Sequence, residues 1–209
     1  AGVVDGISTT AINVDVALYV SEDVGSETLI EEFNLVAALE RADSVGADIA
    51  TISLGYKDFD QPSDNHPYSD MDGATTIAAI GVNVASSKGI LVLAAAGNGG
   101  PETISTPCDA DSAMCIGGID YQNLYVNFSS VGPASDGQVK PDVVARARDA
   151  AVINASGNIT FANGTSFATP IMAGAMACLI EANPSVPVQD LIQSVRESGT
   201  TFNNPTIHI

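Results

Sequence analysis

The residues with the clearest chemical potential lie in one run, Ala162-Asn163-Gly164-Thr165-Ser166-Phe167-Ala168-Thr169-Pro170-Ile171-Met172-Ala173-Gly174. A serine set between Gly164-Thr165 and a series of small or apolar residues reads as a turn that passes straight into a buried helix, with Ser166 among its first residues. Amides at a helix start are unpaired and carry partial positive charge, so they can hold the oxyanion that forms when a serine attacks a carbonyl. Pro170 requires a helix that has only just begun, because deeper in it would delete a ladder bond and clash with the preceding turn. Gly164 permits the backbone geometry of a tight entry. Taken alone, a Gly-Thr-Ser triplet reads first as a Ser/Thr cap on an ordinary core helix.

Other blocks accompany it in chain order: Ser53-Leu54-Gly55, Ala95-Ala96-Gly97-Asn98 and Phe128-Ser129-Ser130-Val131-Gly132-Pro133. Gly-Thr-Ser-Phe-Ala-Thr-Pro resembles the nucleophile signature G-T-S-x-A-x-P of the subtilisin-like serine proteases. The three upstream blocks resemble that family's substrate-binding strand, its oxyanion segment and the loop ahead of the nucleophile. The resemblance covers most of residues 15–200. It implies a nucleophile at Ser166 and a side-chain oxyanion donor at Asn98. Ser53, Leu54, Gly55, Ala95, Ala96 and Gly97, with Thr165, would then wall a cleft in which an extended peptide pairs with strand edges. Read without the resemblance, Asn98 is a turn residue in Gly-Asn-Gly-Gly, and Ser53-Leu54-Gly55 is a buried strand end.

Acyl transfer by a serine also needs a base and a group that orients it. The family supplies an aspartate and then a histidine, the latter in a His-Gly-Thr block, from segments ahead of the part matched here. This chain has two histidines, His66 in Asp-Asn-His-Pro and His208 near the end. Neither has the required neighbours; His66 reads as a surface residue and His208 as part of a tail. The expectation is that residues 1–209 are the carboxyl-terminal portion of a single peptidase domain whose aspartate and histidine lie upstream. Lacking them, catalysis falls by several orders of magnitude. The alternative is an inactive relative that binds peptides or partners through the same cleft. An esterase of another α/β fold is disfavoured, since no G-x-S-x-G elbow surrounds Ser166. Two departures from the family pattern stand out. Phe167 follows the nucleophile where many subtilisins carry an oxidisable methionine, and Arg146-Ala147-Arg148 replaces the usual Pro-Gly after Val144-Ala145.

Composition narrows the partners. In 209 residues, 7 basic against 25 acidic side chains give a net charge of −18, which repels nucleic acid and anionic membranes. The partner expected is therefore a peptide or protein substrate, with no nucleic acid and no membrane. By resemblance the protein is exported, to the outside, the cell surface or the periplasm, and acts as a monomer. No cofactor is required; structural calcium is compatible with the acidity and common in the family, although no D-x-D-x-D-G loop occurs. No apolar run approaches the ~18–20 residues that cross a bilayer. Of the 3 cysteines, Cys108 and Cys115 flank a loop-like Asp-Ala-Asp-Ser and either close a small disulfide or remain thiols; Cys178 reads as a core residue.

The elements that must position these residues alternate. Residues 14–20, with Val14, Val16, Leu18 and Val20 at every second place, read as a strand. A helix over 28–45 places Leu29, Phe33, Val36, Ala37 and Glu40 on its packed stripe and Glu31, Glu32 and Arg41 in water. Strands are expected at 49–54, 90–96 and 114–119, a helix at 74–88, and a long surface loop at 56–72. An irregular section lies between 140–145 and 159–162. A helix over 165–182, apolar nearly all round, belongs in the core, and a last helix covers 188–198. This rhythm predicts an α/β fold of three layers, a mostly parallel sheet with helices on both faces. Sites in such sheets gather beyond the carboxyl ends of the strands, where Leu54-Gly55 and Gly97-Asn98 fall.

Overall fold

The structure is a computed structural model, and it describes residues 15–23, 25–101 and 104–199. Its centre is a four-stranded parallel sheet in the order β1 (Ile49–Ile52), β2 (Leu91–Ala95), β3 (Met114–Ile119), β4 (Val143–Arg146). Period-two alternation divides β2 and β3 between two cores. Val92, Ala94 and Cys115 face a layer that contains Leu35, Leu39, Ala79 and Val82. Leu91, Leu93, Met114 and Ile116 face Ala168, Ala173, Met176, Leu191 and Ile192. Helices α1 (Ile30–Ser44) and α2 (Ile77–Ser87) supply the first layer, and α3 (Thr165–Ala182) and α4 (Val188–Glu197) the second. The expected three-layer α/β architecture is therefore present.

Several expectations change in detail. Residues 15–20 form no strand; they are irregular and exposed, Leu18 at 76% and Val20 at 84%. Alternation marks a segment that suits a sheet, but a strand exists only through lateral hydrogen bonds, and none of the described strands lies beside this segment. Residue 14 lies outside the described residues. Helix α1 is rotated from the expected phase: Leu35, Leu39 and Ala42 are buried together with Glu31 and Glu32, while Phe33 is exposed. The carboxyls are buried because they serve backbone donors. Glu31 accepts from Asp23 N (2.9 Å) and from Thr28 N (3.2 Å) just ahead of the helix. Glu32 accepts from Ala78 N at 2.8 Å in the first turn of α2.

The section ahead of Ser166 is not irregular. It holds an antiparallel hairpin, β5 (Ala150–Ile153) with β6 (Ile159–Ala162), whose last residue leads into Asn163-Gly164. Helix α3 is 18 residues long and apolar enough to match a bilayer-crossing length, with mean hydropathy 1.3. It packs across all four strands, and its buried stripe is Thr165, Ala168, Thr169, Pro170, Ala173, Gly174 and Met176. The other apolar side chains on it, including Phe167 and half-buried Cys178, are only partly covered.

Cys108 and Cys115 are joined in a disulfide and both are buried. The loop they close lies against Lys140, whose Nζ donates to Ala110 O (3.2 Å) and Ala113 O (3.3 Å) and lies 3.4 Å from Asp142 Oδ2. Asp142 also accepts from Cys115 N at 2.7 Å and pairs with Arg196 of α4 at 2.8 Å. Within the same loop Asp109 is fully buried, with Oδ2 accepting from Gly73 N at 3.0 Å and Oδ1 lacking a partner.

Burial pushes the Asp109 carboxyl up, against bonds from Gly73 N and Thr106 and the charge of Lys140 that pull it down. The folded chain thus keeps this proton to higher pH than the unfolded chain. The linked stabilisation is complete below the ordinary carboxylate value of about 4 and is lost as pH rises through the elevated folded value. Asp109→Asn should therefore gain stability relative to wild type as pH increases from 4 to 7 (roughly that window). Urea unfolding across that range checks it; a difference that does not grow with pH refutes the assignment.

Candidate active site

The start of α3 is built by one glycine and one compensation. Gly164 holds φ 143° and ψ 150°, a region that side chains with a Cβ essentially do not enter, and this bend turns β6 into the helix. Pro170 is not in the first turn as expected but at the sixth helical residue. Without an N–H it cannot bond the carbonyl four residues back, which belongs to Ser166. Ser53 Oγ at the end of β1 donates to that carbonyl instead, at 2.8 Å. In return Ser166 Oγ donates to Ser53 O at 3.3 Å. The proline that looked like a marker of helix start thus opens a carbonyl through which the Ser166 turn is tied to the sheet.

The second tie runs to β2. Asn98 Oδ1 accepts from Thr165 N (2.9 Å) and Thr165 Oγ1 (3.2 Å), and Thr165 Oγ1 also donates to Gly97 O at 3.2 Å. With its carbonyl oxygen occupied, Asn98 has its Nδ2 left to donate. Thr165 N is committed to Asn98 and Phe167 N to Gly164 O (3.0 Å), which leaves the Ser166 amide as the first-turn donor beside the hydroxyl.

Ser53, Leu54, Gly55, Gly97, Asn98, Thr165 and Ser166 line one cavity of about 300 Å³, so the structure brings together seven of the nine residues singled out in the sequence. Ala95 and Ala96 do not reach it. At 4% and 0% exposure they are core residues of the β2 end, which supports Gly97-Asn98 from behind. Lys57, Asp58, Gly99, Ser105 and Ser130 complete the lining. Lys57 and Asp58 belong to the loop whose length had marked it. Ser105 carried no sequence signal: its buried Oγ has no partner and stands where a Cβ on Gly55 would have to go. Small residues at Gly55 and Gly97 therefore keep the cavity open; a Cβ on Gly97 would lie 2.8 Å from Ser130 Oγ.

His66 is not a surface residue. Its side chain is 14% exposed, and Nε2 lies 2.5 Å from Glu32 Oε1. Among the described residues no histidine bonds Ser166, and His208 lies outside them. Nor do the described residues hold a group of three or more His, Cys, Asp or Glu side chains suited to a metal.

Residues 1–205 match peptidase S8, the subtilase family. The chain belongs to the subtilase family. It is 29% identical over 204 residues to subtilisin BL of Lederbergia lenta, covering 98% of this chain and 68% of that protein. To the alkaline elastase YaB of Bacillus sp. (strain YaB) it is 31% identical over 201 residues, covering 96% of this chain and 47% of the relative. The chain thus spans about half to two thirds of the length of these subtilases. Among solved structures, the prenylagaramide maturation protease PagA superposes with TM-score 0.67 at 26% identity, over 90% of this chain and 61% of the other. The self-cleaved protease domain of PatA gives 0.68 at 25% identity, over 83% and 62%.

The turn that carries Ser166 depends on the Gly164 conformation. Gly164→Ala should cost about 1–3 kcal/mol, lowering Tm by roughly 2–10 °C for a domain of this size. Thermal unfolding of the two proteins tests it, and an unchanged Tm contradicts the strained geometry.

Proposed function

We propose that this chain carries the nucleophile, oxyanion donors and substrate cleft of a serine endopeptidase. Ser166 Oγ loses its proton to a base and bonds the scissile carbonyl carbon, and the negative oxygen is held by Ser166 N–H and Asn98 Nδ2. The C–N bond then breaks, the leaving amine takes the proton, and water hydrolyses the ester on Ser166. The observation that supports this most is the coupling of Asn98 to Thr165 at 2.9 Å, which holds the carboxamide against the turn that carries the hydroxyl in one cavity. The base and its orienting carboxylate are proposed to come from polypeptide outside the described residues, since His66 is engaged by Glu32. The substrate is an extended peptide lying along the ends of β1 and β2. Peptidases stand among the relatives and the structural neighbours, which favours the same chemistry here. A Cys108–Cys115 disulfide suits export into an oxidising compartment, and the monomeric state expected from the sequence is retained in the proposal.

In the full-length protein a fluorophosphonate should attach to Ser166, and Ser166→Ala should abolish the label. Asn98→Ala should lower kcat by roughly 10²- to 10³-fold, the figure known for such a donor in subtilisin itself rather than one derived from this geometry. Peptide mapping and steady-state hydrolysis read both outcomes. A folded, full-length protein that neither labels nor hydrolyses peptides, yet binds them, is instead the inactive peptide-binding relative.

A further inference from the structure

The loop between β1 and α2 contributes Lys57 and Asp58 to the cavity that holds Ser166. It carries no regular strand or α-helix, only single 3-10 turns at Pro62–Asp64 and Tyr68–Asp70. What keeps its cleft end in place is a short set of polar contacts. His66 N donates to Lys57 O at 2.9 Å, Phe59 N to Asn65 Oδ1 at 2.7 Å, and Asn65 Nδ2 to Asp58 Oδ1 at 3.3 Å. The loop is therefore folded back on itself, with His66 directly across from Lys57.

This folded-back unit is attached to the body of the protein at three points: Asp60, whose N–H donates to Glu27 O at 2.9 Å and whose Oδ2 accepts from Glu27 N at 3.2 Å, the buried Phe59 ring, and, next to Lys57, the His66 ring. Its Nε2 meets Glu32 Oε1 at 2.5 Å, while Glu32 itself is fully buried and takes Ala78 N at 2.8 Å on its other oxygen. The edge of the imidazole packs on Phe59 (centroids 5.4 Å apart, planes at 83°), and Nδ1 lies 3.9 Å from Asp70 Oδ2. One buried carboxyl thus joins α1, the start of α2 and the cleft loop. A buried polar group that loses a hydrogen-bond partner is destabilised. Glu32 therefore holds the ring, and through it the Lys57–Asp58 wall.

We propose that His66, seated on Glu32, is a positioning residue for substrate binding: it fixes the Lys57–Asp58 wall of the cleft without touching the reacting atoms. The proposal rests on the peptidase reading of that cleft. His66→Leu removes the donor to Glu32 at similar size, whereas His66→Gln offers an amide N–H in its place. In the full-length protein, with a fluorogenic peptide that the wild type cleaves, His66→Leu should raise KM about tenfold and leave kcat within about twofold. His66→Gln should recover most of that loss. In a Ser166→Ala background the same peptide should bind about tenfold more weakly when His66→Leu is added. Amide exchange at Phe59 and His66 should speed up while that of Leu93 and Ile116 in the sheet is unchanged.

An unaltered KM and peptide affinity in folded His66→Leu overturns the proposal, as does a loss of kcat equal in both variants. Should His66→Leu fail to fold, Asn65→Ala, which removes the acceptor of Phe59 N from the same unit, should raise KM with kcat unchanged, and no change in KM counts against the proposal. Binding separates this idea from the peptidase reading. If the wild type binds the peptide but never cleaves it, the peptidase reading fails and the affinities alone decide the role of His66. If the wild type neither cleaves nor binds, both fail.

Discussion

The site depends on a carbonyl that its own helix cannot satisfy. Proline at position 170 removes the donor that would have reached Ser166 O, and a proline inside a helix costs about 3 kcal/mol in the general case. Here the free acceptor is met by Ser53 Oγ from the end of β1, and the Ser166 hydroxyl answers on the Ser53 carbonyl. Two residues 113 apart in sequence are held in register by this exchange. The clamp fixes the hydroxyl on one side; the bonds from Thr165 to Asn98 and Gly97 fix the turn on the other.

That pair of ties works because β1 and β2 are parallel neighbours, with Ile52 opposite Ala94. Their carboxyl ends point the same way, so Ser53-Leu54-Gly55 and Gly97-Asn98 emerge side by side over the amino end of α3. The packing behind them leaves little freedom. Ala94, Ala95 and Ala96 are almost wholly buried, and α3 lies across the strands through small residues such as Ala168 and Ala173. Close backbone approach under the site follows from those side chains.

An acid-rich chain is expected to send its carboxyls to water, yet several are used inside. Glu31 and Glu32 satisfy backbone donors at turns and at the start of α2, and Asp142 gathers Cys115 N, Lys140 and Arg196 around the disulfide loop. Each ties a turn, a helix or a strand start to a segment distant in sequence. The same logic accounts for the long loop of the cleft, where His66, Asn65 and Asp58 replace a ladder of backbone bonds.

The sequence by itself determined the four helices, the three sheet strands β1 to β3, the parallel α/β class and seven of the cavity residues, because glycine turns, short apolar runs and the Gly-Thr-Ser signature act over a few neighbouring positions. It also misread what depends on partners far along the chain. Alternation at residues 15–20 suggested a strand where no described strand stands alongside, and Glu31 and Glu32 looked like a solvent face because Asp23 and Ala78, which they serve, are not helical neighbours. The role of Pro170, the inward turn of His66 and the place of Ser105 in the cleft were decided only by tertiary structure. Hydrogen bonds to distant backbone and the filling of space between strand ends leave no periodic trace in the order of residues.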